Sequence, residues 1–296
     1  MAYEGVKAQT CITSPPYFGL RDYGRSGQIG LEPTPDAYVA QLVEVFRYVR
    51  DVLADDGTLW LNLGDSYASG TKGSGGAGKS TLGPNKDMQN IQFQKMKPRQ
   101  FDCGLQDKQL IGIPWRVAFA LQADGWILRS DIIWSKPNPM PESVTDRPTK
   151  AHEYLFLFAK QPKYYYDAGA IKERAVGADK PRIFAAESRG DGSACAVVGR
   201  AGRQAKGASG FGGSELRNAR TVWTITPKPF KGAHFATFPP DLVRPCILAG
   251  SRAGDTVLDP FMGSGTVAQV AKENGRNYLG CELNPEYVKL HAERGI

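Results

Sequence analysis

The sequence predicts an α/β fold, with helices layered on a sheet, and three observations point there. Apolar residues recur at helical spacing in several segments, short apolar runs of strand length lie between them, and turn residues mark the joins. Thr34-Pro35 offers an N-cap followed by a first-turn proline, and Val39, Leu42, Phe46, Val49 and Leu53 then share one helix face. The run Thr58 to Leu63, TLWLNL, reads as a strand ended by Gly64-Asp65. Pro114 to Ala123 reads as a helix closed by Asp124-Gly125, and strands follow in WILRSDIIWSK and in HEYLFLFAK, His152 to Lys160. The last third holds a helix near Pro239 to Ala249, a strand in DTVLDPF and a helix from Gly265 to Glu273 stopped by Asn274-Gly275. A strand in NYLGCEL and a helix capped by Asn284, with Pro285 in its first position, complete the series. Trp60, Trp115, Trp134 and Cys11 read as packed residues.

Two stretches break this order. From Ala68 to about Lys108 the text is rich in Gly, Lys and Gln and predicts a long mobile surface loop. Between about Ala168 and Arg220 the pattern dissolves again, and this stretch carries ten Lys/Arg against five Asp/Glu. It therefore holds most of the net charge of +7, and a basic balance of that kind favours a polyanion such as nucleic acid. Five cysteines lie scattered without a CxxC pair, beside only three histidines, which argues for a reducing compartment and against a zinc or other metal site. No run approaches the roughly 20 apolar residues of a membrane span. MAYEGVKAQ has no apolar segment of the signal-peptide kind, so the expectation is a cytoplasmic protein with no membrane partner.

Asp259 to Thr266, DPFMGSGT, stands where a predicted strand meets a predicted helix. Gly263, Gly265 and Ala268 satisfy G-x-G-x-x-A, and Glu282 lies at the end of the next strand, which is the pattern of a nucleoside-cofactor site. The fingerprint alone admits NAD. Asp259, however, puts a carboxylate where a dinucleotide site holds pyrophosphate. S-adenosylmethionine carries an ammonium, a carboxylate and a ribose but no phosphate, and fits that carboxylate better. A second glycine motif, GSGGAGKS at Gly73 to Ser80, matches the phosphate-binding P-loop, but no apolar helical pattern follows it.

At Thr13 to Tyr17 a predicted strand runs straight into TSPPY. Two prolines cannot join a sheet ladder, and they hold Ser14 and Pro15 rigid. Taken together, TSPPY, DPFMGSGT and Glu282 resemble the amino-group DNA methyltransferases that modify cytosine N4 or adenine N6, in the permuted order where the catalytic motif precedes the cofactor motif. GTLWLNLGDSY, IIWSKPNPMPESVTDRPTKAHEYLFLFAK and VWTITPKPFKGAHFATFP extend the likeness over most of the chain.

The resemblance implies a Rossmann-like, S-adenosylmethionine-dependent methyltransferase of permuted motif order. Its catalytic half would span residues 1–167 with the mobile loop at about 68–108, a basic target-recognition insert 168–222, and the cofactor-binding half 223–296. It implies catalytic roles for Ser14, Pro15, Pro16 and Tyr17. An exocyclic amine is a poor nucleophile because its lone pair is delocalised, and the Ser14 hydroxyl and Pro15 carbonyl would accept its two N–H bonds. Tyr17 would stack on the extruded base. Ser14 is no strong base, so the proton is expected to leave late in methyl transfer or after it. Asp259, Pro260, Phe261, Gly263, Gly265, Thr266 and Glu282 would hold the methyl donor, with Thr237, Phe238 and Pro239 against its methionine part. Asp65 would line the cofactor or base pocket, or merely end a strand. Arg21 and Asp22 would close over the base or pair at the surface. His152 and Glu153 suggest structural hydrogen bonds, and His234 an anchor for the cofactor segment.

Arg174, Arg182, Arg189, Arg200, Arg203, Lys206, Arg217 and Arg220 are the implied phosphate contacts to a DNA duplex with its target base flipped. Serine ahead of the prolines, in place of the aspartate of many relatives, looks more like the cytosine-N4 members. The family also implies a cognate restriction endonuclease, a monomer or homodimer, and a bacterial, archaeal or phage setting. A further strand with a Gly-Asp pair, which in the family precedes the catalytic strand and helps form the adenine pocket, has no counterpart in the about six residues ahead of it.

Overall fold

Strand β1, Ala8–Thr13, lies near the middle of a seven-stranded sheet whose order is β7-β3-β4-β2-β1-β8-β9. The computed structural model describes residues 5, 7–68, 104–175, 216–227 and 238–296. After β1 come α1 (Pro35–Val52), β2 (Leu53–Leu63), α2 (Ile113–Ala123), β3 (Ile127–Ser135) and β4 (His152–Ala159). Then follow β5 (Glu173–Arg174), β6 (Leu216–Arg217), β7 (Val222–Thr224), α3 (Pro240–Gly250) and β8 (Thr256–Asp259). The chain ends with α4 (Thr266–Glu273), β9 (Asn277–Gly280) and α5 (Pro285–Glu293). Within this sheet the β1–β2, β1–β8, β8–β9 and β3–β7 pairs are parallel, and β4 runs against both its neighbours, β2 and β3.

The apolar text of these strands sorts by period two onto both faces of the sheet. Leu59, Leu61, Leu63, Phe156 and Phe158 join one core with α1 and α2, while Trp60, Leu155 and Leu157 join the other with α3 and α4. Helix α1 starts where its cap predicts: the Thr34 hydroxyl accepts the Ala37 N–H at 3.1 Å. Asn284 caps α5 in the same way, accepting from the Glu286 N–H at 3.1 Å. Strand β2 begins at Leu53, ahead of the expected Thr58, because parallel pairing with β1 reaches back to Leu53 opposite Ala8. Trp60 and Trp134 are buried as expected, whereas Trp115 is half-buried and packs edge-on against Tyr154 and Phe156.

The expected loop at 68–108 closes before its predicted end. The Lys108 N–H donates to the Ala68 carbonyl at 2.8 Å, and Tyr67 bridges Leu110, so 104–108 forms an exposed turn hydrogen-bonded back to the segment after β2. Among the described residues no helix is long and apolar enough to cross a membrane. The connection from β1 runs through α1 to one side of the sheet, and that from β8 runs through α4 to the other. The carboxyl ends of β1 and β8 therefore flank the point where the strand order reverses, the position at which open α/β sheets bind ligands.

Candidate active site

Two motifs at opposite ends of the chain meet there. Thr13, last residue of β1, donates its hydroxyl proton to Asp259 Oδ1 at 2.6 Å across 246 residues, and the Phe261 N–H reaches the same oxygen at 3.0 Å. A cavity of about 440 Å³ opens beside this contact. Its walls include Ser14, Pro15, Pro16 and Tyr17 from the first motif, Pro260, Phe261, Gly263 and Thr266 from the second, and Glu282 and Phe238. Asp259 is not in the cavity wall but is buried behind it, 2 % exposed, and burial pushes its carboxyl up to about 7, opposed by the Thr13 and Phe261 hydrogen bonds.

The TSPPY end of the cavity is held by side chains from α1, β2 and β4. Tyr38 on α1 donates to the Pro16 carbonyl at 2.8 Å, which ties the second proline to the helix layer. The Ser14 hydroxyl donates to Asn62 Oδ1 at 3.2 Å. Tyr17 donates to Glu153 Oε2 at 2.6 Å, with Asn62 Oδ1 at 3.1 Å as a weaker second acceptor. Burial, and then the Glu153 charge, hold the Tyr17 phenol well above its usual value, so it stays a donor. The Tyr17 ring lies against Gly64, where a Cβ would stand 2.5 Å from Cε2; no side chain larger than hydrogen fits without moving the ring. Asn62 went unnoticed in the sequence, although an amide inside the apolar run TLWLNL was its signal.

The glycine turn is held differently. Glu282 Oε2 accepts the Gly263 N–H at 2.7 Å, and its Oε1 accepts the Asn284 N–H at 2.7 Å. Gly263 and Gly265 take φ of 51° and 83°, a region that favours glycine. Behind the turn His291 Nε2 pairs with the Gly263 carbonyl at 2.9 Å, and Arg294 reaches Ser264, Thr266 and Gln269. Gly265 faces this support rather than the cavity: a Cβ there would meet Ile296 and His291.

A profile of the DNA methylase family matches residues 8–293. The chain belongs to that family. The methylase is 50% identical over 283 residues to the type II methyltransferase M.XycI of Xanthomonas campestris pv. cyanopsidis, covering 96% of this chain and 79% of that one. It is 47% identical to M.SmaI of Serratia marcescens, with 96% and 82% covered. Its fold is that of the PvuII cytosine-N4-specific DNA methyltransferase, at a TM-score of 0.59, 19% identity and coverage of 99% and 82%. It is also that of TTHA0409 of Thermus thermophilus, solved with S-adenosyl-L-methionine, at 0.56, 20% identity and coverage of 98% and 87%.

Several residues fall elsewhere than expected. Asp65 is not in the cavity wall; its Oδ1 accepts the N–H groups of Gly112 and Ile113 and so caps α2. Pro239 is the N-cap residue of α3 and lies outside the wall too. Arg217 and Arg220 pair with Glu173 at 2.7 and 2.6 Å, bracing β5 against β6, and Arg174 lies in β5 itself. Arg21 lines the cavity, while Asp22 closes a turn by accepting from the Gly24 N–H at 2.8 Å. His152 packs edge-on against Tyr154, and burial lowers its pKa. Thr237, His234, Arg182, Arg189, Arg200, Arg203, Lys206 and the GSGGAGKS segment lie outside the described residues.

Proposed function

We propose that the methylase transfers a methyl group from S-adenosylmethionine to the exocyclic N4 of cytosine in duplex DNA, as the modification partner of a type II restriction enzyme. The observation that carries the donor choice is the occupied glycine turn. In a dinucleotide site the glycine-turn amides face pyrophosphate. Here the Gly263 N–H is already taken by Glu282, and a second carboxylate, Asp259, lies buried close by. Two carboxylates repel phosphate and suit a ligand bearing an ammonium and ribose hydroxyls. Asp259 would take the ammonium, Glu282 the ribose, and Phe238, Pro260 and Phe261 the apolar parts. S-adenosylmethionine, when bound, supplies an electrophilic methyl group on a sulfonium.

The chain's own residues activate the acceptor. Ser14 Oγ and the Pro15 carbonyl accept the N–H bonds of the amine, which draws electron density onto its nitrogen and fixes its orientation. The prolines and the Tyr38 bond set that geometry before the base arrives. Tyr17 offers its ring to the flipped base, and stacking of about 1–3 kcal/mol per base offsets much of the few kcal/mol that flipping costs. A serine has no affinity for the proton comparable to a carboxylate, so the proton departs from the methylated nitrogen to solvent. The choice of N4 over N6 rests on Ser14 standing where many relatives have aspartate.

The test is direct. Duplex DNA of mixed sequence, incubated with the protein and methyl-labelled donor, is digested and its nucleosides identified by mass. N4-methylcytosine is expected; N6-methyladenine would replace the base assignment, and no labelled nucleoside would overturn the reading.

A further inference from the structure

Glu153 is a carboxylate that touches the catalytic loop from across the sheet. It sits on β4, its side chain 16% exposed, with Oε1 paired to Lys136, the residue after β3, and Oε2 accepting from Tyr17 at 2.6 Å and from Asn62 Nδ2 at 3.2 Å. Lys136 in turn lies over the Trp134 ring, 4.3 Å from its centroid, so the counter-ion is itself fixed. Asn62 Nδ2 has a second acceptor in the Tyr154 carbonyl at 3.1 Å.

These contacts decide which way the Asn62 amide faces. Both hydrogens of Nδ2 are spoken for by acceptors, so Oδ1 must turn toward Ser14 and Tyr17. The single Tyr17 hydroxyl proton goes to the nearer, charged partner, Glu153. Asn62 Oδ1, and the Tyr17 hydroxyl oxygen that Ser14 also reaches, are then left as acceptors for the Ser14 proton. With its hydrogen committed away from the cavity, Ser14 Oγ presents only lone pairs to a ligand. An amine N–H needs that. A reversed Asn62 would take away one acceptor and a Tyr17 released from Glu153 the other, which frees the serine hydrogen to turn toward the cavity and set a donor against a donor.

We propose that Glu153, with Lys136 as its counter-ion, is a positioning residue for methyl transfer, holding Asn62 and Tyr17 so that Ser14 is an obligate acceptor. The inference rests on the amine-acceptor role assigned to Ser14 above. It asks nothing of Glu153 as a base, and no atom of Glu153 meets the substrate.

Single-turnover methyl transfer, donor affinity by calorimetry and thermal midpoint are compared for wild type, Ser14→Ala, Glu153→Gln and the double variant. Glu153→Gln is expected to slow transfer about tenfold, with donor affinity unchanged, because the acceptor is misaligned rather than removed. In the Ser14→Ala background the same change is expected to cost almost nothing further, since it acts through the missing hydroxyl. Equal slowing in both backgrounds, or a wild-type rate for Glu153→Gln, overturns the proposal. A wild-type rate for Ser14→Ala instead sinks the Ser14 reading itself. Should Glu153→Gln fail to fold, Asn62→Ala tests the same link, and full activity there overturns it.

Discussion

The two ends of the cleft are built by opposite strategies. Apart from the Thr13 bond to Asp259, the glycine turn is held locally: Glu282 closes on Gly263 only 19 residues away, and α5 supports it from 28 residues away. The TSPPY loop is assembled from afar, with Ser14 and Tyr17 meeting Asn62 at separations of 48 and 45 residues and Tyr17 meeting Glu153 at 136. In the function proposed above, the donor site has to recognise a constant ligand, which suits a turn with two carboxylates. The acceptor site proposed above has to align two oxygens and a ring closely, and bonds from neighbouring strands and from α1 hold its loop still.

The largest effect should come from Ser14→Ala. Removing one preorganised partner typically costs about 10²–10³ in rate. Transfer measured in single turnover should fall by at least about a hundredfold while donor affinity, read by calorimetry, stays put. A loss of donor affinity instead would mean the two ends are not separable.

Asp259→Asn should act on the other end. The raised pKa makes the sign explicit. In the free protein the proton is held up to about pH 7, so folding stability from this group is fully present below the ordinary carboxylate range and is lost as pH rises through about 7. An ammonium ligand needs the carboxylate, so wild-type donor affinity should climb as pH rises toward 7 and then level off. The Asn variant should bind about tenfold more weakly at pH 8 and show no such climb. A flat wild-type profile between pH 5 and 8, measured by titration calorimetry, would rule out Asp259 as the ammonium partner.

Gly64→Ala sharpens the contrast within the catalytic end, because its new methyl group would push the Tyr17 ring. Transfer should slow about tenfold with little change in donor binding. Smallest is Thr34→Ala, remote from both ends. Losing the α1 cap should cost about 1 kcal/mol, lower the thermal midpoint by a few degrees at most, and leave the transfer rate alone.

The elements that follow periodicity and caps were legible: α1 from Thr34-Pro35, α5 from Asn284-Pro285, the strand-to-helix turn at DPFMGSGT. So was the pairing of TSPPY with the glycine turn, through the family resemblance. Asp65 left two readings open, a pocket wall or a strand end, because a carboxylate there looks the same whether it faces a ligand or the N–H groups of a helix 47 residues on. Glu153 read as a structural hydrogen bond, which it makes, but its partners could not be named. Gly64 looked like a strand terminator and proved to be the floor under Tyr17.

What the chain's order of residues determined alone is the inventory: which segments are helical or extended, where glycine permits a tight turn, and where two prolines freeze a loop. Those are consequences of local sterics and of period, and they need no neighbours. Only the folded sheet decided which way Asn62 faces, what holds Tyr17, and whether a given carboxylate caps a helix or meets a ligand. A side-chain hydrogen bond is set by distance and angle across strands, and nothing in linear spacing encodes either.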